Sequence, residues 1–174
     1  MSETLNLVRM GPFADFDLDK LSLKLSAKLP DFTIQVSEPL DTPEMAFDSS
    51  RKQYHSTRIL ATLEEYTEPD TGRVLGVTSF DLYVPGMNYV FGEARCPGRA
   101  AVISTYRLKT KDTGFLEARV VKEAVHETGH MLGLRHCPRP SCVMYFSERL
   151  ADTDRKMEGF CSECEGKMKM IEVE

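Results

Sequence analysis

The sequence has no apolar run approaching the length of a membrane span, so it offers no transmembrane helix. It has no basic patch either. Its 22 Lys and Arg are outnumbered by 27 Asp and Glu, and the net charge of −5 argues against nucleic acid as the main partner. The same balance disfavours a DNA- or RNA-binding zinc ribbon. The opening Met1-Ser2-Glu3-Thr4-Leu5-Asn6 lacks a basic segment leading into an apolar one, so no signal peptide and no pro-segment are expected. No internal repeat or low-complexity stretch is present. What remains is 174 residues of ordinary globular composition, suited to one domain over residues 1–174. A cytoplasmic location is expected, because the cysteines fall in metal-ligand patterns. Nothing in the sequence specifies an oligomeric state.

The densest information lies in His126-Glu127-Thr128-Gly129-His130-Met131-Leu132-Gly133-Leu134-Arg135-His136. On a helix, His126 and His130 stand one turn apart on the same face and can bind one metal from the same side. Glu127 is the next residue round, placed to reach a metal-bound water without being a ligand. Gly133 can take the left-handed conformation that ends a helix, so the chain can return His136 to a third coordination position. Three protein ligands leave one position open, the mark of a catalytic zinc.

Four cysteines follow: Cys137 and Cys142, then Cys161 and Cys164, in the spacing C-x4-C … C-x2-C. That pattern fits a four-thiolate structural zinc. Met157, Phe160, Cys161, Cys164, Met168 and Ile171 recur at three and four residues, which predicts a C-terminal helix with both thiolates on its inner stripe. A metal on all four sulfurs would clamp that helix onto the loop after His136 and steady the third histidine. Disulfides, unlinked buried thiols and a redox Cys-x-x-Cys are the alternatives. Two zinc ions per chain are therefore expected.

The run from His126 to Cys164 resembles the archaemetzincins, a branch of the metzincin metalloproteases that adds four cysteines to the zincin motif. Cys137 beside the third histidine, Cys142-Val143-Met144 and Cys161-Ser162-Glu163-Cys164 carry the likeness. Arg51-Lys52-Gln53-Tyr54-His55-Ser56-Thr57 and Pro97-Gly98-Arg99-Ala100-Ala101-Val102 extend it upstream. The stretch between Met144 and Cys161 is slightly shorter than the family's pattern. The resemblance implies an α/β fold: a single metzincin-like zincin domain with a twisted, mostly parallel sheet and an antiparallel edge strand. It also implies a zinc-bearing helix and a Met-turn, with Met144 as an apolar floor beneath the metal. By the same resemblance, substrate pairs as an added strand with the edge strand around Tyr89 to Ala94, where Gly92 would leave room for close approach.

The remaining chain reads as scaffold. Leu5 to Met10 predicts a first strand. Leu18, Leu21, Leu25 and Leu29 predict a helix from Phe13 to Leu29. Phe32 to Val36 is a second strand, and Pro39 to Ser50 a polar loop. A second helix is expected from about Arg51 to Tyr66, ending at the turn Glu68-Pro69-Asp70-Thr71-Gly72. Val74 to Val84 predicts a long strand, with two more at Asn88–Ala94 and Ala101–Tyr106. The metal-bearing helix is expected from about Phe115 to Leu134, burying Val121, Ala124, Val125, Thr128 and Leu132. Cys96 reads as a partly exposed loop thiol; the alternative is a cysteine that reaches the catalytic zinc. His55 reads as a surface or capping residue, with Tyr54 and His55 as possible cleft residues. Tyr106 and Tyr145 are the candidate oxyanion donors, and nothing in their spacing selects either.

The expected chemistry is hydrolysis of a peptide or small protein. Zinc on His126, His130 and His136 lowers the pKa of bound water toward about 7, and Glu127 accepts its proton. The rival reading is a zinc-stabilised binding module, descended from a peptidase but inert.

Overall fold

A computed structural model describes residues 3–12, 16–67 and 72–171. The first strand, β1 (Glu3–Arg9), buries Leu5 and Leu7 on one face and Val8 on the other. Helix α1 (Leu18–Lys28) starts at Asp17, whose side chain accepts from the Asp19 and Lys20 amides. It packs Leu21 and Leu25 inward and leads to β2 (Phe32–Val36), parallel to β1. The expected start of this helix at 13–15 lies outside the described residues, as does the 68–71 part of the expected turn.

The expected polar loop before Ser50 contains a single helical turn, Glu44–Ala46, and a two-residue strand, β3 (Phe47–Asp48). The next helix is shorter than its periodicity predicts. Gln53–His55 forms β4, and α2 (Ser56–Tyr66) begins only after it. The Gln53 side chain explains the extended stretch: its amide donates to Asp81 and to the Asn88 carbonyl, interactions no local helical pattern reveals. The long strand expected over Val74–Val84 is two, β5 (Arg73–Thr78) and β6 (Leu82–Tyr83). Between them the Thr78 hydroxyl accepts from the Phe80 amide and donates to the Met10 carbonyl, which turns the chain out of the main sheet. The strands β3, β4 and β6 make a small second sheet.

β7 (Gly92–Ala94) and β8 (Ala100–Ser104) complete the main sheet in the order β2-β1-β5-β8-β7. β1, β2, β5 and β8 are mutually parallel, and only the edge strand β7 runs antiparallel. Such a sheet needs cover on both faces. α1 and α3 (Thr113–Met131) bury one face, with Leu75, Ala101 and Ile103. α2 buries the other, with Val74, Ala100 and Val102 against Ile59, Leu60 and Leu63. Two more helices follow, α4 (Leu150–Arg155) and α5 (Ser162–Ile171). The expected C-terminal stripe is thus only partly helical. Met157 to Cys161 precede α5, and Met157 is 53% exposed. The Met157 amide donates to the Ser141 carbonyl and the Val143 amide to the Gly159 carbonyl, so this stretch pairs with the cysteine loop instead of coiling. No helix among the described residues is long and apolar enough to cross a membrane.

Candidate metal centre and active site

The second half of α3 is enclosed on all sides: every residue from Val120 to Gly129 is buried. Asp112 caps its start by accepting from the Gly114 and Phe115 amides. Val121, Ala124, Val125 and Thr128 face the core as expected, whereas Leu132 lies past the helix end and is half-buried. Leu134, returned by Gly133 at φ 96°, takes the buried place. That return is fixed by the Leu134 amide donating to the Gly129 carbonyl at 3.0 Å.

The turn gathers the three histidines. His130 Nε2 lies 3.1 Å from His126 Nε2 and 3.2 Å from His136 Nε2. The rings are held from behind. His126 Nδ1 donates to the Val143 carbonyl and His130 Nδ1 to the Leu134 carbonyl, each at 2.7 Å. A carbonyl only accepts, so the proton sits on Nδ1 in both rings and each Nε2 presents a lone pair. Lone pairs this close repel unless a cation lies between them. Tetrahedral nitrogens about 2.0–2.1 Å from zinc stand roughly 3.3 Å apart, so the triad fits that ion. Burial pushes all three imidazoles toward the neutral form a ligand requires, with His136 down to about 4.

The triad opens into a cleft of about 400 Å³. One wall is the segment Tyr89 to Ala94, the other Phe146 to Glu148, and Glu123, Glu127 and Lys156 line its depth. Glu127 is 4% exposed, and its Oε2 is buried without a hydrogen-bond partner among the described residues. Burial pushes its carboxyl well above the usual range; Glu123 and Glu93 act in the same direction and Lys156 opposes them. Gly92 has a use inside the protein. A Cβ there would stand 2.7 Å from the Val102 carbonyl oxygen and 2.8 Å from Glu127 Oε1. The missing side chain makes room for Glu127.

Behind the triad the four cysteines converge as their spacing predicts. Their sulfurs lie within 4.8 Å of one another and all four residues are buried. Cys137 and Cys161 sulfurs are 3.9 Å apart, Cys142 and Cys164 sulfurs 3.8 Å. A disulfide needs about 2.05 Å. Four sulfurs about 2.3 Å from zinc stand roughly 3.8 Å apart, which matches. Burial raises the Cys142 and Cys164 thiols. Burial also acts upward on Cys161, but the Cys164 amide and the neighbouring thiols outweigh it and bring Cys161 to about 7. A cation would relieve the others. Cys164 sits in the first turn of α5 and Cys161 just ahead of it, so the pair is presented by the helix entrance, not along one helical face.

Met144 is fully buried in a turn closed by the Tyr145 amide donating to the Cys142 carbonyl at 3.0 Å. Its thioether occupies the space left by Gly129, where an added Cβ would stand 2.5 Å from Sδ. Cys96 is an exposed loop thiol donating to the Leu134 carbonyl at 3.4 Å; it lines the cleft without entering the triad. Tyr54 stacks on Phe80 at 4.2 Å and His55 packs on Tyr83, and neither lines the cleft. Tyr106 is 49% exposed, and Tyr145 lies outside the cleft lining as well. Sequence reasoning missed Glu123 and Lys156. Glu123 was accessible from spacing, one turn before Glu127 on the ligand face. Lys156 carries no such signal, since Asp152-Thr153-Asp154-Arg155-Lys156 reads as a solvated surface.

The sequence model of peptidase family M54 matches residues 16–170. An archaemetzincin of Methanopyrus kandleri is 51% identical over 122 residues, covering 70% of this chain and 69% of the relative. The crystal structure of the M. kandleri archaemetzincin superposes with a TM-score of 0.91 at 39% identity, covering 99% of this chain and 96% of the other. That of the Archaeoglobus fulgidus archaemetzincin complexed with malonate gives 0.79 at 40% identity, over 94% and 99%. A mostly parallel sheet with one antiparallel edge, a three-histidine triad and a four-cysteine cluster agree with these matches: the chain belongs to peptidase family M54, the archaemetzincins, and is a zinc metallopeptidase.

Proposed function

We propose that this protein hydrolyses peptide bonds, with Glu127 as general base and residues 1–174 acting as one peptidase domain. His126, His130 and His136 hold one zinc; Cys137, Cys142, Cys161 and Cys164 hold a second that is structural. When bound at the histidines, zinc supplies Lewis acidity toward a carbonyl and lowers the pKa of water toward about 7. Glu127 takes the proton of the attacking water and passes it to the departing amine. Burial serves that shuttle, because a carboxylate far from bulk water is a stronger base toward a nearby proton. The substrate is a peptide or small protein laid along the free edge of β7, with backbone pairing holding it in register. Met144 and Gly129 keep an apolar floor beneath the triad, and the protein works in the cytoplasm without nucleic acid or membrane as partner.

The observation that carries this reading is the buried Glu127 oxygen, without a partner among the described residues, in the same open cleft as three converged imidazoles. A binding module without turnover has no use for that group. Incubating the zinc-loaded protein with a mixed peptide pool, with and without a chelator, tests the proposal. Chelator-sensitive cleavage is expected. Metal-dependent retention of peptides with no new termini would favour the inert module.

A further inference from the structure

Two buried lysines near α4 are treated in opposite ways. Lys122 is 8% exposed, and its Nζ donates to the Thr153 and Asp154 carbonyls at 3.1 Å each. It closes the end of α4. Lys156 is 3% exposed and lines the depth of the cleft, yet its Nζ is sealed from solvent with no hydrogen-bond partner among the described residues. Glu127 Oε2 is sealed and unpartnered in the same way. Folded proteins leave few such groups. Here a donor and an acceptor of opposite charge border one cavity.

The neighbouring acids are engaged elsewhere. Glu123, on α3, accepts from the Thr153 hydroxyl at 3.1 Å. Glu93, on β7, is held by Ser56 and Thr57 at the start of α2. Lys122 and the Cys142 thiol also act on Lys156, and its charge is felt by His126, His130 and His136. Of the two Glu127 oxygens, Oε1 packs beside Gly92 on the cleft wall. Oε2 is the one left for an ammonium.

We infer that Lys156 is the positioning residue of Glu127: its ammonium takes Oε2 as hydrogen-bond acceptor in the zinc-loaded site and so keeps Oε1 turned toward the substrate. A carboxylate gripped at one oxygen loses its rotation and meets the attacking water in one orientation. This rests on the reading of Glu127 as the base, and the test separates the two.

The test uses zinc-loaded protein and two probes of one peptide, its hydroxamate and its plain carboxylate. A hydroxamate hands its hydroxyl proton to an oriented base; a carboxylate has none to give. Titration calorimetry is run on wild type, Glu127→Gln, Lys156→Met and Lys122→Met. Glu127→Gln and Lys156→Met should each weaken the hydroxamate by about tenfold or more and leave the carboxylate within about threefold. Lys122→Met should lower Tm and leave the ratio of the two affinities as in wild type. If Lys156→Met binds hydroxamate as wild type does while Glu127→Gln does not, the positioning role is overturned and the base stands. If Glu127→Gln also binds it as wild type does, both fall. Should Lys156→Met not fold, a crystal structure of the zinc-loaded wild type decides. Lys156 Nζ about 3 Å from Glu127 Oε2 is the expected result; an ammonium turned to another acceptor overturns the inference.

Discussion

His126 Nδ1 donates to the carbonyl of Val143 at 2.7 Å, and Val143 directly follows Cys142. On the other side, Cys137 directly follows His136, and its amide donates to the Met144 carbonyl at 2.9 Å. Two of the three histidines are therefore braced by the loop that the cysteine cluster ties to the entrance of α5.

That bracing predicts the outcome of Cys161→Ser. Structural zinc contributes roughly 10 kcal/mol or more in small metal domains. In a chain of this size each kcal/mol moves Tm by about 2–4 °C, so a drop above about 10 °C is expected in a melting curve. Metal analysis should also show looser zinc at the histidines, because Val143 and His136 lose their anchor. Equal melting temperatures for variant and wild type would remove the structural-zinc assignment.

Gly129→Ala probes the contact between the zinc-motif helix and Met144. Its Cβ would meet Met144 Sδ at 2.5 Å and Phe160 Cε1 at 3.0 Å. Overpacking of this kind costs about 1–3 kcal/mol, which chemical denaturation can read. A variant as stable as wild type would mean that Met144 is free to move aside.

Gly92→Ala places a methyl against both the Val102 carbonyl and Glu127 Oε1. The carboxylate must swing or the edge strand must retreat. Peptide turnover should fall by about tenfold or more with zinc content unchanged, since small misplacements of a catalytic group carry large rate losses. Normal turnover would show that Glu127 has slack.

The histidines also predict a pH effect in chelator-treated protein. His136 is depressed to about 4 in the folded chain, chiefly by burial, against about 6.5 when unfolded. Below about 6.5 the unfolded state takes up the proton first, so stability falls as pH drops and levels off only below about 4. His126 and His130 shift in the same direction, whereas the raised carboxyls of Glu123 and Glu127 push the opposite way. Comparing wild type with His136→Asn isolates the His136 share. The stability difference between them should move against wild type between pH 6.5 and 4; a difference independent of pH would contradict the shift.

The two candidate metal clusters were legible because coordination chemistry fixes the spacing of ligands. His126, His130 and His136 come together, as do the four cysteines, and few demands other than a shared ion produce those intervals. The parallel strands were legible from short apolar or alternating stretches such as Leu5 to Met10 and Phe32 to Val36. The failures share a cause: local pattern was overridden by distant partners. Gln53 to His55 continues a helical pattern but is pulled straight by bonds to Asp81 and Asn88. Met157 to Cys161 keeps helical spacing but pairs with the cysteine loop. Lys156 was hidden because nothing in a charged surface-like segment announces that one lysine turns inward.

On the proposed reading, Glu127 is the base and the histidines hold metal without it. The most direct measurement is metal analysis together with peptide turnover for Glu127→Gln beside wild type. The same zinc content per chain and a turnover lower by about 10²–10⁴-fold are expected. A Glu127→Gln protein that carries zinc and cleaves peptides at the wild-type rate would contradict that reading.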